Sequence, residues 1–348
     1  MESVNIKKLA QLLNLSIATV SKALRDSYDI SKETKEKVIA LANQLNYQPN
    51  PHASFLRKQN SKTLAVIIPE IANNYFTLAI NGIESVAHEK GYHVTIYLTH
   101  EDFVREVAFT RHLQSGRVDG VLISVSSTTT DYTHLHNLND KGLPIVFFDR
   151  VCDGFNTAKI TTDDYESGYL ATRHLIDQGC RKIAHLAVSQ SLSIGSKRTK
   201  GYLQALQDDD IPFDETLLVE CKNNNLHDAT LIKNLLTEQK PDGIFSSVER
   251  YAILTYEICN ELQLKIPQDF KIISFSNLQT ASLLNPSLTT ITQPAFDIGR
   301  EAATLLLKAL DKKNFQLKEE SIVFKSSLIE RASTARTIKS KKVAKVRS

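Results

Sequence analysis

The 348-residue chain contains neighbouring acidic and histidine side chains that bear on acid–base or metal chemistry. Asp163 and Asp164 are adjacent carboxylates, but Asp164 precedes a helical pattern over 165–178, where helix capping is the simpler interpretation. His134 and His136, two residues apart, diverge on a helix and share a face only on a strand. Neither pattern has the spacing of a catalytic or metal site.

Motifs that bind cofactors are also missing from the sequence. There is no G-x-G-x-x-G pattern after a strand and no P-loop, and the chain has only 12 glycines. The cysteines are far apart, so they predict neither a zinc site nor disulfides but small buried side chains of a reducing cytoplasm. They are Cys152, Cys180, Cys221 and Cys259. We therefore expect no enzymatic activity, no cofactor and no metal.

The segment 14–24 combines small, apolar and cationic side chains that suit the base edges of DNA. Asn14-Leu15-Ser16 predicts a turn, and Ser16 can cap a helix over 17–24. The outward residues of that helix are Ile17, Ala18, Ser21 and Lys22. Small side chains let a helix enter the major groove, apolar ones contact thymine methyls, and a lysine can donate to guanine. An ordinary helical hairpin has the same spacing, so both interpretations stay open on this pattern alone.

The elements that position these residues form a small helical head. Asn5 and Ser31 can cap two further helices, and Pro49 prevents the last one from continuing. Residues 1–62 hold ten Lys/Arg and five Asp/Glu, a net charge of +5, and residues 336–348 hold six Lys/Arg and no acid. The remaining residues carry a net charge of −8. A basic head on an acidic body indicates that the head meets a polyanion.

From residue 64 on, the sequence alternates between short apolar strands and amphipathic helices. Seven apolar runs are separated by helical stretches such as 76–89 and 198–207. This alternation predicts parallel, doubly wound α/β sheets, and so many strands favour two similar lobes over one sheet. Ligands of such folds bind at the carboxyl ends of the strands. No apolar run approaches the roughly 20 residues that span a membrane.

Together, these segments resemble the lactose-repressor-type (LacI/GalR) family of bacterial transcription regulators. The stretch VNIKKLAQLLNLSIATVSKAL, which begins at residue 4, resembles the family's DNA-reading head. The stretch ISKETKEKVIALANQLNYQPNPHASFLR, which begins at residue 30, resembles its third helix and hinge. Later blocks match in DGIFSSVERYAI and NPSLTTITQPAFDIGREAATLL. The resemblance implies an all-α helix-turn-helix head and a two-lobed α/β core of the periplasmic-binding-protein type.

The resemblance implies DNA contacts by two groups of residues in the head and hinge. Phosphate contacts would be made by Asn5, Ser16, Thr19, Ser21, Thr34, Tyr47 and Asn50, and bases would be chosen by Ile17, Ala18 and Lys22. In the hinge, Ala53 and Leu56 would enter the minor groove, with Leu56 wedged between the central base pairs. The alternative for Leu56 is a linker leucine that packs on its own head. Heads of this type bind two-fold symmetric duplex sites as homodimers.

The resemblance also predicts how the chain is divided. We expect a head over 1–48, a hinge over 49–62, an N-terminal lobe over 63–162 plus 292–320, a C-terminal lobe over 163–291 plus 321–332, and a disordered basic tail over 333–348. The chain would cross between the lobes near 160–163, 288–294 and 318–323.

Small-molecule effectors of this family bind between the lobes, and eight residues at strand ends or at the helices that follow are candidates for that site. They are Tyr75, Phe76, Ser124, Asp149, Arg150, Arg198, Glu249 and Ser276. Tyr75 and Phe76 would form an aromatic wall, and Arg198 would grip the ligand through its planar guanidinium. Asp149 and Arg150 have an alternative as an ion pair between the lobes or at a helix cap.

Two positions depart from the family's pattern. Glu249-Arg250 stands in place of the usual Asn-Asp, and Ser276 replaces the usual Asp after the last core strand. Those positions commonly bind sugar hydroxyls, so the sequence puts a simple monosaccharide effector in doubt. The arginines leave an acidic or phosphorylated ligand open, although Glu249 and Asp149 would oppose it.

The sequence thus predicts a cytoplasmic DNA-binding transcription regulator, a repressor, that is switched by a carbohydrate-related small-molecule effector. A solute-binding protein of a transporter would share the core. That alternative leaves the head unexplained and requires an export signal, which the polar first residues do not resemble.

Overall fold

The computed structural model describes residues 5–47, 61–312 and 315–336. The chain divides into two compact units, with the boundary between Ser61 and Lys62. The predicted DNA contacts Asn50, Ala53 and Leu56 lie outside the described residues, as does the basic tail from residue 337 on.

The head consists of three short helices, α1 (Ile6–Leu12), α2 (Ile17–Ala23) and α3 (Lys32–Gln44). Each begins with a polar cap whose side chain accepts a hydrogen bond from the backbone N–H three residues later, and such a cap stabilises a helix by about 1 kcal/mol. The caps are Asn5, Ser16 and Ser31. The helices enclose a small core made of Leu9, Ala10, Val20, Ala23, Val38 and Ala42.

The first lobe of the core is built on a six-stranded sheet covered by helices. Its strands are β1 (Thr63–Ile68), β2 (His93–Leu98), β3 (Gly120–Ile123), β4 (Ile145–Phe148), β5 (Lys159–Thr162) and β11 (Ser321–Phe324). Its helices are α4 (Asn74–Glu89), α5 (Phe103–Leu113), α6 (Thr133–Asp140) and α11 (Ala295–Asp311). The strand order is β2-β1-β3-β4-β5-β11, and every pairing is parallel. The central strands are buried and apolar because helices cover both faces of such a sheet.

The second lobe repeats this arrangement. Its strands are β6 (Ile183–Ala187), β7 (Leu218–Glu220), β8 (Gly243–Ser246), β9 (Lys271–Phe275), β10 (Thr289–Thr292) and β12 (Ser327–Ile329). Its helices are α7 (Asp164–Asp177), α8 (Ser193–Asp208), α9 (Asn225–Asn234) and α10 (Glu249–Leu262). The order is β7-β6-β8-β9-β10-β12, parallel except for β12. The predicted fold class, a helical head with a two-lobed α/β core, is confirmed. Within the described ranges, no helix has both the length and the apolar character to span a membrane.

The third crossing between the lobes lies later in the chain than the sequence predicted. Residues 321–324 pair in parallel with β5 in the first sheet, so their expected place in the second lobe is wrong. The chain crosses only afterwards, at Lys325 and Ser326. The reason is that β11 is an edge strand with alternating exposure, and its short sequence lacks the buried apolar run that marks the central strands.

The predicted disorder from residue 333 is also wrong for the first residues of that segment. Ser333 and Thr334 are buried in the second lobe. The Ser333 hydroxyl donates to the Ile272 carbonyl at 2.7 Å, and Thr334 Oγ1 lies 2.8 Å from Nε2 of His174. Hydroxyl hydrogen bonds hold this segment, and they leave no apolar periodicity in the sequence.

Glycines allow α7 and α8 of the second lobe to pack backbone against backbone. A Cβ on Gly201 would lie 2.2 Å from the carbonyl oxygen of Tyr165, and a Cβ on Gly168 would lie 2.5 Å from that of Arg198. These distances are shorter than any van der Waals contact, so both positions need glycine. The close approach places Arg198 of α8 directly beside the start of α7.

We predict that Gly201→Ala destabilises the core. Alanine favours a helix over glycine by about 1 kcal/mol, but overpacking against a backbone carbonyl that cannot rotate away costs typically 1–3 kcal/mol or more. Urea denaturation should therefore show a lower free energy of unfolding. Gly154→Ala is the matched control, because a Cβ there meets nothing within 4 Å. Equal stability of the two variants would contradict the proposed packing.

Candidate functional site

The first turns of α2 present the side chains that the sequence assigns to base contacts. Ile17 is 46% exposed, and Ala18 and Lys22 are exposed as well. The hydroxyls of Ser16 and Thr19 lie 2.8 Å apart at the start of the helix. This face therefore offers small and apolar groups flanked by hydroxyls, an arrangement that suits a DNA groove.

The remaining phosphate candidates of the head lie on other elements. Ser21 is half-buried on α2, Asn5 caps α1, and Thr34 lies in the first turn of α3. Tyr47 packs against the helical core, and this burial raises the pKa of its hydroxyl.

Lys22 has an intramolecular partner that sequence reasoning missed. Its Nζ lies 2.5 Å from Oδ2 of Asp29, in the segment between α2 and α3. The hydrogen bond from Lys22 lowers the pKa of the Asp29 carboxyl. The lysine is thus held on the head surface before any base contact is made.

Arg198 lies fully buried where the second lobe faces the first. Its Nε and Nη2 donate to Oδ1 of Asp164 at 2.8 and 2.7 Å, and its Nη1 donates to the Ser247 carbonyl at 2.7 Å. The guanidinium carbon lies 3.7 Å from the ring centroid of Phe275. Burial raises the pKa of Asp164, and the charge of Arg198 opposes that shift.

The predicted capping role of Asp164 is wrong. Asp163 occupies the N-cap of α7 and makes no side-chain cap hydrogen bond, whereas Asp164 is the first helical residue. Asp163 instead accepts from the Ser326 backbone at 2.9 Å, next to the third crossing. The sequence could not reveal this because the partner of Asp164 is 34 residues away, on α8.

Arg150 follows β4 and connects the first lobe to the second through Glu101. Its Nη1 donates to both carboxylate oxygens of Glu101 at 2.8 and 2.9 Å. Nδ2 of Asn223, from the second lobe, donates to the same carboxylate at 3.0 Å. Asp149 is a weaker partner of Arg150, with 3.9 Å between Oδ2 and Nε. The predicted alternative, an Asp149–Arg150 ion pair between the lobes, is not what the structure has, because both residues belong to the first lobe and Arg150 pairs with Glu101 of the same lobe.

Asp149 is buried in a left-handed backbone conformation with φ of 62°. Burial raises the pKa of its carboxyl to about 6. Arg150 and Arg198 oppose this rise, and the carboxylates of Asp164 and Glu101 add to it. Asp149 therefore keeps its proton to a higher pH than an ordinary aspartate does.

Glu249 accepts four hydrogen bonds, and two of them join the second lobe to the first. Its Oε1 accepts from the backbone and side-chain nitrogens of Asn74 in the first lobe, at 3.2 and 2.7 Å. Its Oε2 accepts from the Ser276 hydroxyl at 2.7 Å and from the Asn277 backbone at 3.2 Å. A carboxylate has about four acceptor sites, so Glu249 is saturated by protein donors.

Arg250, which together with Glu249 replaces the family's usual Asn-Asp, also contacts the first lobe. Its guanidinium forms an ion pair with Glu70, which follows β1. Glu70 in turn accepts from Nδ2 of Asn73 at 3.0 Å, and Asn73 caps α4. A pocket of about 270 Å³ lies beside this ion pair, lined in part by Glu257 and Leu278.

Four buried polar atoms, one in the first turn of α4 and three just after β4, β8 and β9, have no hydrogen-bond partner among the described residues. Tyr75 and Arg150 belong to the first lobe, and Ser247 and Asn277 belong to the second. The atoms are Tyr75 Oη, Arg150 Nε, Ser247 Oγ and Asn277 Oδ1. Leaving a buried polar group unpaired costs about 1–3 kcal/mol, so such groups call for a functional explanation. We refer to them as the unpaired cleft atoms.

The other predicted effector residues are buried close to this set. Phe76 packs edge-to-face on Tyr75 at 5.5 Å, and its ring lies 5.9 Å from the Arg150 guanidinium carbon. Ser124 Oγ accepts from the Arg150 backbone at 3.4 Å. Burial, followed by the negative charge of Asp149, raises the pKa of Tyr75 well above its usual value.

Sequence reasoning missed eight residues of this region. They are Glu70, Asn74, Glu101, Asp164, Asn223, Ser247, Phe275 and Asn277. Most of them come at or soon after the end of a strand, and that position is the signal that could have found them. No group of three or more His, Cys, Asp or Glu side chains in the described part of the chain is arranged to hold a metal ion.

Two family descriptions match the chain. Residues 5–50 match "Bacterial regulatory proteins, lacI family", and residues 172–334 match "Periplasmic binding protein-like domain". A transporter's solute-binding protein would account only for the second match. The chain is 30% identical over 310 residues to the ribose operon repressor of Halalkalibacterium halodurans, covering 88% of this chain and 91% of that protein.

Solved structures show the same architecture. The lac repressor dimer bound to operator and the anti-inducer ONPF superposes with a TM-score of 0.82 over 96% of this chain and 99% of that one, at 22% identity. A LacI family transcriptional regulator from Enterococcus faecium with bound ribose superposes with a TM-score of 0.70 at 27% identity. That superposition covers 79% of this chain and all of the other.

We predict that Asp149 makes folding stability depend on pH. Its pKa of about 6 in the folded protein lies above the value of about 3.9 in an unfolded chain, so the folded state binds an extra proton between these values. The stability that this proton contributes is present below pH 4 and is lost as the pH rises through 6. Lowering the pH from 7 to 5 should therefore stabilise the wild type relative to Asp149→Asn by about 1 kcal/mol.

Urea denaturation of both proteins at the two pH values measures this difference. Asp149→Asn is itself the control, because it keeps the size of the side chain and cannot ionise. Parallel pH profiles for the two proteins would contradict the assignment.

Proposed function

The chain belongs to the lacI family of bacterial regulatory proteins, and from this we propose that it is a cytoplasmic repressor that releases or holds DNA according to a small effector. Two copies would bind a two-fold symmetric operator with their heads, and each core would bind one effector between its lobes. We propose no enzymatic activity. The observation that carries the effector proposal is the set of unpaired cleft atoms.

The unpaired cleft atoms favour a ligand with several hydroxyl groups. Arg150 Nε can only donate a hydrogen bond, and Asn277 Oδ1 can only accept one. The hydroxyls of Tyr75 and Ser247 can do either. A hydroxyl group both donates and accepts, so a polyol can satisfy all four atoms, whereas a carboxylate or phosphate cannot donate to Asn277.

The charges around the cleft favour an uncharged ligand over an anionic one. Each of the three arginines already has a carboxylate partner: Arg150 with Glu101, Arg198 with Asp164 and Arg250 with Glu70. Asp149 and Glu249 add two further carboxylates. An anion would therefore enter a region of net negative charge. The relatives support the same class, since one is a ribose operon repressor and another was solved with bound ribose.

Contacts from both lobes explain how such a ligand could act as a switch. Tyr75, Asp149 and Arg150 would hold it from the first lobe, and Arg198, Ser247 and Asn277 from the second. A ligand held by both lobes favours the arrangement in which they are close, and it shifts the equilibrium by its difference in affinity for the two arrangements. The hydrogen bonds of Glu249 and Ser276 are used within the protein, so we place them outside the ligand contacts.

In the head, we propose that α2 enters the major groove. Ile17 and Ala18 would contact thymine methyls, and Lys22 would leave Asp29 to donate to guanine. In the hinge, Ala53 and Leu56 would occupy the minor groove, where Leu56 kinks the duplex. The phosphate contacts would be made by Asn5, Ser16, Thr19, Ser21, Thr34, Tyr47 and Asn50, and they fix the register of the head.

We predict that Ser247→Ala weakens the effector response without weakening the fold. The Ser247 hydroxyl makes no hydrogen bond within the described protein, so its removal costs folding little, but it removes one ligand hydrogen bond. The effector concentration for half-maximal response should rise about 3- to 10-fold. The effector would first be chosen by a thermal-shift screen of neutral pentoses and hexoses against their phosphates, and operator binding would then be measured by fluorescence anisotropy.

Ser246→Ala is the matched control for this experiment. The Ser246 hydroxyl donates to the Val248 carbonyl at 2.7 Å, so this variant should lose stability and keep its effector response. A sugar phosphate that stabilises the protein more than its neutral parent would contradict the uncharged class. An unchanged response in Ser247→Ala would remove that residue from the site.

We predict that Lys22→Gln alters base preference at one position of each half-site. Loss of a donor to guanine costs about 1–3 kcal/mol at that base pair and little elsewhere. Selection of bound duplexes from a random pool, followed by sequencing, measures the change. Lys37→Gln is the control, because Lys37 is paired with Glu33 on α3 at 2.7 Å and should leave the selected sequence unchanged. If both variants select the wild-type sequence, Lys22 does not read bases.

A further inference from the structure

The two lobes are joined at one edge of the cleft by contacts that need no ligand atom. Glu249 of the second lobe accepts two hydrogen bonds from Asn74 of the first, and Arg250 forms an ion pair with Glu70. We call these four residues the latch. Both second-lobe members stand where the family pattern has Asn-Asp, so the replaced residues bridge the lobes.

The hydrogen bonding of the latch leaves no capacity for a ligand at Glu249. Its carboxylate already accepts from Asn74, Ser276 and Asn277, with four donors in total. The Ser276 hydroxyl donates to Glu249 and also accepts from the Leu278 backbone at 3.0 Å. The two departures from the family pattern therefore compensate for one another. The side chain of Ser276 is short and that of Glu249 is long, so the Glu249 carboxylate reaches the Ser276 hydroxyl.

The latch is also connected to the effector site. Glu70 accepts from Nδ2 of Asn73 at 3.0 Å, and Oδ1 of the same Asn73 accepts from the Tyr75 backbone at 2.9 Å. Tyr75 carries one of the unpaired cleft atoms. A change in the Arg250–Glu70 ion pair can therefore shift the start of α4, where Tyr75 lies.

We infer that the latch closes the two lobes before an effector arrives, and that Glu249 and Arg250 are positioning residues that raise effector affinity without touching the effector. The inference rests on the proposed effector cleft. A ligand that binds only the closed arrangement has an apparent affinity reduced by the fraction of protein that is open. By keeping that fraction small, the latch preorganises the site.

A second bridge limits how far the lobes move when the latch is broken. Asn223 of the second lobe donates to Glu101 of the first, and Gln293 donates to Thr162 at the crossings at 3.0 Å. Loss of the latch should therefore loosen one edge of the cleft and leave each lobe folded.

The test measures the distance between the lobes in the full-length protein without any effector. Spin labels on Val104→Cys and Leu226→Cys report it, since these side chains are 73% and 82% exposed on the first and second lobes. The four native cysteines are buried and should remain unlabelled. Dilution with unlabelled protein restricts the measurement to distances within one protomer.

The closed arrangement should give a single short distance in the otherwise wild-type protein. Arg250→Gln should add a second, longer distance between the two labels. The ratio of closed to open protein should fall at least about fivefold. Arg250→Lys retains a cation for Glu70 and should restore most of the closed population. Lys233→Gln breaks an ion pair with Glu261 that lies within the second lobe, and it should change nothing.

Three results would overturn the inference: wild-type protein that is mainly open, Arg250→Gln with the wild-type distance, or Lys233→Gln with the same effect as Arg250→Gln. Cooperative urea unfolding of every variant verifies that the lobes remain folded. Because no effector is present, failure here leaves the proposed effector cleft standing, and failure of the Ser247→Ala experiment leaves the latch standing.

Discussion

The buried ion pair between Arg198 and Asp164 is the interaction on which the cleft depends. Taking two charges out of water costs several kcal/mol per ion, and only close geometry with further hydrogen bonds offsets that cost. Arg198 meets this condition with Asp164 on α7, the Ser247 carbonyl after β8 and the Phe275 ring at the end of β9. One guanidinium thereby fixes two helices and two strand ends relative to one another. Gly168 makes this possible, because α7 and α8 can then pack backbone against backbone.

The order of elements was predictable from the sequence, and the partners of the charged residues were not. Apolar runs and caps such as Ser16 are local signals, so the head and the central strands could be located from them. The Arg198–Asp164 pair joins residues 34 apart, and Glu249 reaches Asn74 across 175 residues. No spacing rule covers such contacts. The predictions for β11 and for Ser333 failed for another reason. Neither the edge strand nor the hydroxyl-bound segment depends on a buried apolar pattern, which is the signal that the sequence offers.

The same contacts explain why the arginines do not indicate an anionic ligand. In the sequence, Arg150 and Arg198 look like a cationic site, and a phosphate would be a reasonable partner. In the fold, each guanidinium is bound to a carboxylate, so its charge is already balanced within the protein. What is left to recognise a ligand is a set of single donors and acceptors. At the proposed effector site, specificity in this LacI-family regulator would therefore rest on hydrogen-bond geometry more than on net charge.

Backbone conformation adds a reason why the lobes can be switched by a small ligand. His100, Glu101, Asp149 and Asn223 are all left-handed, and all follow strands that end at the cleft. A non-glycine residue in this region of φ costs about 1–3 kcal/mol, and it persists because surrounding contacts hold it. For Glu101 and Asn223, those contacts include the hydrogen bond between the lobes, and Glu101 is also held by Arg150 of its own lobe. Opening the cleft would remove the Asn223–Glu101 hydrogen bond, one of the contacts that hold these two residues in place. A ligand with a few kcal/mol of preference for one arrangement can then decide between them.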